Sequence, residues 1–213
     1  MSFVSSILIP LLTVAATLGS GWFVTTRVTD HWDSVKKARE MDLAAAQEFQ
    51  QLYGEFVAVW KLWNILKGRD GHKLRDQAED PVWKCLERAV STEGAVEALL
   101  AKLVAERRLD PVQIEILGAV RQAFKTLRRC ISADERLGWD YDSHPHYVSF
   151  KILTTETSVL LNTPRGTGPG PTSAEAARAF RSITENRHEP RPLGTNPWYE
   201  APGRLKLRSA GEG

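Results

Sequence analysis

The chain begins with an apolar stretch that carries no charged side chain. Residues 1–26 read MSFVSSILIPLLTVAATLGSGWFVTT, and the first charge is that of Arg27. A helix over residues 3–26 would be about 36 Å long, enough to cross a hydrocarbon core of about 30 Å. Trp22 and Phe23 would then lie near the second interface, where aromatic side chains are favoured. The pattern predicts a transmembrane anchor over residues 1–26.

A cleaved signal peptide is the competing interpretation of this stretch. Such a peptide has basic residues before an apolar region of about 7–15 residues, whereas this stretch is longer and starts without a basic side chain. The sequence Ala-Ala-Thr at 15–17 nevertheless resembles a cleavage site, so both interpretations stay open. The basic side chains follow the stretch, and the positive-inside rule therefore predicts a cell-membrane protein with its N-terminus outside and its body in the cytoplasm.

A long amphipathic helix is predicted after the anchor. No proline interrupts residues 28–67, and helix-forming residues dominate there. Six apolar residues are spaced alternately three and four apart, which places them on one helical face. They are Ala46, Phe49, Tyr53, Phe56, Trp60 and Trp63. A second membrane span is disfavoured because Glu55 and Lys61 lie inside the stretch, and a central charge costs at least about 2.5–3.5 kcal/mol. We expect the stripe to form the core of a bundle rather than a ligand-binding box.

Asp-Pro pairs mark two further helix starts. In each pair the aspartate is a capping residue and the proline takes the first helical position. The pairs predict helices over residues 81–106 and 111–136. The sequence STEG at 91–94 leaves open a break in the first of these helices.

The C-terminal half continues with helices and a linker. A helix is predicted over residues 145–162, although its threonine-rich middle is also compatible with a strand. Gly and Pro make residues 164–172 a linker. Thr172 and Glu175 form the capping box of a short helix over residues 173–186. That helix either docks on the bundle or awaits a partner that offers a groove.

The predicted fold class is all-α. A single transmembrane helix continues into a cytoplasmic bundle of about four helices with short connections. The predicted segments are the anchor, the bundle, the linker, the short helix and a tail rich in Pro, Gly and Arg that we expect to be disordered. Their ranges are 1–26, 27–163, 164–172, 173–186 and 187–213.

Composition and charge exclude some function classes. The 28 Lys and Arg residues nearly balance the 26 Asp and Glu residues, which leaves a formal net charge of +2. A dedicated nucleic-acid-binding protein has a pronounced basic surface, so no nucleic-acid partner is expected. Cys85 and Cys130 lie far apart without a CxxC motif. We therefore expect two free thiols rather than a zinc site or a disulfide.

The polar segment WDYDSHPH at 139–146 is the strongest candidate for chemistry. Its carboxylates and imidazoles suit divalent zinc, manganese or iron. The candidate ligands are Asp140, Asp142, His144 and His146. Their spacing matches no motif that fixes a metal. The structural alternative is that Asp142 or Ser143 caps the helix that Pro145 starts, so no metal and no other cofactor is assigned.

The remaining candidates are surfaces for binding other proteins. A small-xxx-small pair lets two spans approach closely, paired arginines form basic patches, and an aromatic pair in the tail suits docking. The residues are Ala15 and Gly19, Arg107 and Arg108, Arg128 and Arg129, and Trp198 and Tyr199. No GxSxG motif or phosphate-binding loop is present, which disfavours an enzyme.

The predicted function is a membrane-anchored scaffold or protein-interaction module. Its partners would be the membrane and either another protein or a second copy of the chain. Two alternatives stay open. One is a self-associating membrane effector or sensor whose spans pair through Ala15 and Gly19. The other is a metal-dependent enzyme that uses the Asp and His residues of segment 139–146.

Overall fold

The computed structural model describes residues 3–68, 81–139, 144–164 and 170–185; for residues 3–28, 30, 31 and 34 it describes the helix but not the side chains. Its described elements are all α-helices, and no strand occurs in these ranges. The helices are α1 (Phe3–Leu66), α2 (Pro81–Glu106), α3 (Pro111–Ser132), α4 (Pro145–Asn162) and α5 (Ser173–Thr184). The predicted all-α class is therefore confirmed.

The chain divides into two compact units, Met1–Asp42 and Leu43–Gly213. Within the residues whose side chains the structure describes, no helix is long and apolar enough to cross a membrane. The side chains of the predicted anchor, residues 1–26, lie outside that set, and the tail at 187–213 lies outside the described residues altogether.

The aromatic stripe of α1 is the core of the second unit. Phe56 and Trp63 are completely buried, and Trp60 is 5% exposed. Lys61, which the same spacing places off the stripe, is exposed. The prediction that this stripe is bundle core is confirmed, because a spacing of three and four residues brings the side chains to one face of the helix.

Rings from three helices and one loop meet around Phe56. Its ring centroid lies 4.5 Å from that of Phe150 in α4 and 5.0 Å from that of Phe124 in α3. Trp139, in the loop after α3, is 5.7 Å away and is 2% exposed. The rings pack tilted or edge-on, which their quadrupoles favour. This cluster joins α1, α3 and α4.

Helix α2 is continuous, so the break considered at residues 91–94 does not occur. The Thr92 hydroxyl donates to the carbonyl oxygen of Arg88 at 2.7 Å, a bond that keeps this polar side chain compatible with a helix. Thr92 is 5% exposed. The surrounding bundle therefore buries the segment in helical form despite its poor helix formers.

Helix α3 begins as predicted and ends earlier than residue 136. The Asp110 carboxylate accepts hydrogen bonds from the N–H groups of Val112 and Gln113 at 2.8 and 2.9 Å. At the other end, Asp134 has a φ of +55°. The Glu135 N–H then donates to the carbonyl oxygen of Cys130 at 2.8 Å. This turn ends the helix and directs the following loop toward the core.

Helix α4 has the predicted bounds, and the strand alternative is wrong. Its hydroxyl side chains bond to carbonyl oxygens of the preceding turn: Thr154 and Thr155 both donate to Lys151, at 2.8 and 2.9 Å. Thr157 donates likewise to Leu153 at 2.8 Å. Burial of the apolar face overrides the low helix propensity of threonine. That face consists of Tyr147, Phe150, Leu153, Leu160 and Leu161.

Helix α5 docks on the bundle, where it packs against α2 and α3. It has the predicted capping box between Thr172 and Glu175. Ile183 is completely buried, and Ala179 and Phe180 pack against the same core. The short helix is therefore a fifth structural element of the bundle.

Candidate functional site

The candidate functional site is a groove between α1 and α4 of the second unit. Its volume is about 320 Å³, at the small end of the range typical of ligand pockets. Phe49, Gln50 and Tyr53 line it from α1, and Lys151, Thr154, Thr155 and Ser158 line it from α4. We call it the α1–α4 groove.

The groove exists because the two helices present side chains of unequal size. Phe49 and Tyr53 are large, whereas Thr155 and Ser158 on the facing helix are short. These short side chains leave the space between the helices open. Elsewhere in the same seam, Trp60 and Tyr147 fill the space, with ring centroids 4.8 Å apart. The threonine-rich middle of α4 thus creates the cavity.

The hydroxyl groups of the groove are arranged as acceptors. Ser158 donates to the carbonyl oxygen of Thr154 at 2.9 Å, and Thr154 and Thr155 donate within the same helix. A hydroxyl has one proton and two lone pairs, so each oxygen can still accept a hydrogen bond. A ligand in the groove would meet acceptors along the α4 wall.

Lys151 provides the charge at this site. Among the residues that line the groove, all of them described, it is the only charged one. Its Nζ lies 4.1 Å from the ring centroid of Tyr147, a cation–π contact that holds the ammonium beside the aromatic seam. An acidic group entering the groove would therefore find a positioned counter-charge.

Tyr53 forms the aromatic floor of the groove. Burial raises the pKa of its phenol, and the neighbouring Tyr147 raises the pKa further. Its ring centroid is 5.7 Å from that of Phe150, so the core holds it in place. A neutral phenol supplies apolar surface and a hydrogen bond rather than a base or nucleophile. The groove is thus equipped for binding.

Arg107 has a structural role at the end of α2. Its guanidinium donates to the carbonyl oxygens of Leu160, Leu161 and Thr163 at 2.6, 2.9 and 3.2 Å. These carbonyls belong to the last turn of α4 and its end, where no further helical N–H is available. Arg107 thus ties the C-terminal end of α2 to that of α4.

The other three arginine candidates lie at different places. Arg128 donates to the Glu93 carboxylate, which connects α3 to α2. Arg108 lies 3.6 Å from a Glu175 carboxylate oxygen at the start of α5. Arg129 is exposed in the last turn of α3. The proposal that these side chains contact a partner stays a prediction, and intramolecular partners explain Arg108 and Arg128.

The described part of the Asp and His segment serves as a helix cap. His144, rather than Asp142 or Ser143, is the N-cap of α4, and its Nδ1 accepts from the N–H of His146 at 3.3 Å. Burial lowers the pKa of His146, and His144 lowers it further. Asp140 lies outside the described residues, as does Asp142. Within the ranges the structure covers, no three His, Cys, Asp or Glu side chains are grouped as a metal site requires.

Four interaction candidates cannot be placed in a site. Ala15 and Gly19 lie within α1, where the side chains are outside the described set. Trp198 and Tyr199 lie outside the described residues. Their roles stay predictions from sequence.

Both cysteines are free, as predicted. Cys85 is buried, and its thiol donates to the Val59 carbonyl oxygen at 3.7 Å. Burial raises the pKa of Cys85 to about 11 and raises that of Cys130 as well. A reactive cysteine needs a lowered pKa, so neither thiol is an activated nucleophile.

The sequence interpretation missed the groove. The available signal was the run of threonine and serine in α4, which pointed toward a strand rather than toward a gap beside Phe49. No family model matches the chain, and no curated protein or solved structure shows significant similarity to it. Its function is therefore inferred from geometry and sequence chemistry.

Proposed function

We propose that the chain is a membrane-anchored helical module that binds a protein partner through the α1–α4 groove. The observation that carries this function is the groove itself, which combines an aromatic floor, a lysine and hydroxyl acceptors in one cavity. Interfaces obtain most of their binding energy from a few anchor side chains that enter such pockets. The groove has the size for one anchor of this kind.

The chemistry of the groove specifies the partner segment. Phe49 and Tyr53 favour a large apolar or aromatic side chain, because they offer ring faces for packing. Lys151 favours an acidic residue next to that anchor. We therefore infer a partner segment in which a carboxylate neighbours a large apolar side chain.

The membrane anchor is the second part of the proposed function. Its support is the absence of charge over residues 3–26 and the continuous course of α1 from Phe3. Basic residues that follow this stretch favour a cytoplasmic bundle and an external N-terminus. The membrane would hold the groove near partners that share the same surface.

Photo-cross-linking of the full-length protein in its native membranes tests the groove. A photoreactive residue replaces Gln50, which lines the groove, or Gln51, which is exposed and does not line it. We expect a position-50 adduct whose partner peptide contains an acid beside a large apolar residue. Lys151→Glu should weaken this adduct, whereas Lys61→Glu, the same charge change at an exposed site away from the groove, should not.

Three results would overturn the groove as the binding site. They are equal adducts from positions 50 and 51, an adduct unaffected by Lys151→Glu, and the absence of any adduct from position 50. An adduct that joins position 50 to another part of the same chain would show that an internal segment, and not an external partner, occupies the groove.

Alkaline extraction of membranes tests the anchor separately. The wild-type protein should stay in the membrane pellet, and Val14→Arg should move it to the supernatant because a central charge costs at least about 2.5–3.5 kcal/mol. The intact mass of the pelleted protein distinguishes an anchor from a cleaved signal peptide. Wild-type protein in the supernatant would contradict the anchor.

A further inference from the structure

The part of α1 that precedes the bundle exposes large apolar side chains. Trp32 is 67% exposed and Val35 is 44% exposed. They lie three residues apart, on one face of the helix. The two side chains are neighbours on the helix surface and together form one exposed apolar patch.

Trp32 and Val35 continue the repeat of the core stripe. Counting back from Ala46 in steps of four and three residues gives positions 42, 39, 35, 32 and 28, which hold Asp, Arg, Val, Trp and Val. From Asp42 onward the stripe is buried or half-buried. Before it, the described stripe positions Trp32, Val35 and Arg39 are all exposed. The same seven-residue repeat is therefore buried or half-buried from Asp42 onward and exposed at its described positions before Asp42.

We propose that residues 28–39 of α1 form a parallel two-stranded coiled coil with the same segment of a second copy of this chain. A spacing of three and four residues is the repeat by which two helices interlock side chains along a seam. Within the bundle, the chain's own helices cover this seam. In residues 28–39 a second copy of the same seam would cover it.

The parallel arrangement rests on the proposed membrane anchor. Two copies inserted in one membrane with the same orientation present α1 in the same direction and at the same height. Equivalent positions then face each other, so Trp32 meets Trp32 and Val35 meets Val35.

Arg39 favours two strands over a larger assembly. It occupies a seam position and is exposed. A polar residue at such a position lowers stability and selects the oligomeric state, because a long charged side chain reaches solvent more easily from a dimer than from a more crowded core. Among the described seam positions before Asp42, the apolar residues are Trp32 and Val35.

The segment is too short to pair firmly by itself. With two described apolar residues in the seam of each copy, pairing buries little apolar area. Tethering in a membrane raises the effective concentration of the second copy, so pairing requires no large interface. Cross-linking in membranes is therefore the suitable measurement.

Cysteine cross-linking of the full-length protein in its native membranes tests the coiled coil. Single cysteines replace Trp32, Asp33, Val35, Lys37 and Glu40 in a background of Cys85→Ala and Cys130→Ser. The five positions are exposed, so the introduced cysteines lie outside the described bundle core, and the buried change Cys85→Ala is common to all five proteins. Mild oxidation should give several-fold more disulfide-linked dimer at positions 32 and 35 than at 33, 37 and 40, which lie off the seam.

A second variant tests the packing at the seam. Trp32→Glu places a negative charge in both copies, so it should abolish the dimer formed by the Val35→Cys protein. The matched control is Asp33→Arg, which changes charge at the neighbouring position off the seam and should leave that dimer in place.

Each outcome decides between pairing and its alternatives. Equal cross-linking at all five positions indicates random collision and would overturn the coiled coil, as would a maximum at 33, 37 or 40 or a dimer unaffected by Trp32→Glu. The same membranes are extracted with alkali. Protein that stays in the pellet but shows no seam pattern contradicts the pairing alone, and protein that leaves the pellet contradicts the anchor on which the pairing rests.

Discussion

Two seams of the bundle differ in the polar side chains that accompany their buried apolar residues. Charged side chains bridge α2 and α3: Arg121 Nε donates to Glu97 at 2.8 Å, and Arg128 donates to Glu93. The seam between α1 and α4 is aromatic where it is tightly packed, and it opens into the groove where α4 has threonine and serine. The ionic seam leaves its arginines engaged within the chain, whereas the aromatic seam leaves space and a lysine.

The contrast separates polar residues with a structural role from those that are candidates for binding. A charge that meets an opposite charge on a neighbouring helix has a structural explanation, however much its sequence resembles a binding patch. In the sequence, Lys151 is an isolated charge that belongs to no motif. In the folded chain it stands at a cavity, which makes it the better candidate for recognition.

The largest loss of stability is expected from a substitution in the aromatic seam. Phe56→Ala removes a completely buried ring that contacts Phe150, Phe124 and Trp139. We expect the free energy of unfolding to fall by roughly 3–5 kcal/mol, because the cavity adds to the lost burial. Denaturant-induced unfolding measures it. A loss below about 1 kcal/mol would show that the seam collapses around the gap and does not define the core.

A smaller loss of stability is expected when the hydrogen bonds between Arg107 and the end of α4 are removed. Arg107→Ala removes three hydrogen bonds to the end of α4, and we expect a loss of roughly 2–3 kcal/mol in the free energy of unfolding. Arg108→Ala, the adjacent change, should have an effect of less than about 0.5 kcal/mol because its ion pair is exposed. Equal effects would contradict the assigned role of Arg107.

Double-mutant cycles sharpen the description of the ionic seam. The Arg128–Glu93 side chains are 30% and 14% exposed, and those of Arg88–Glu55, which joins α2 to α1, are 45% and 35% exposed. We expect a coupling energy of about 1–1.5 kcal/mol for the former and less than about 0.5 kcal/mol for the latter. Reversed values would mean that burial does not decide the strength of these pairs.

The smallest effect concerns pH at the start of α4, beside the aromatic seam. The folded chain lowers the pKa of His146 from its usual 6.5. The unfolded chain therefore binds a proton first as the pH falls, and stability should decrease below about pH 6.5. Unfolding curves between about pH 7.5 and about pH 5.5 measure this slope. His146→Gln should flatten it, and an unchanged slope would assign the dependence to other groups.

Local signals were sufficient to predict most helices. The caps at Asp110 and Thr172 and the spacing of the α1 stripe act within a few residues, so they can be read without the tertiary structure. The bounds of α4 and the continuity of α2 followed less directly, since their threonines required burial and backbone bonds to become helical. The candidate site was harder to predict, because a cavity depends on which side chains face each other.

The helix starts and the buried stripe of α1 follow from the sequence alone, because these properties arise from residues that are neighbours in the chain. The docking of α5, the role of Arg107 and the position of the groove depend on the packing of the whole bundle. Arg107 and Leu160 are 53 residues apart in the chain, and their hydrogen bond exists only because packing brings the two helix ends together. Long-range contacts of this kind are set by the shape of the whole core, which no local pattern encodes.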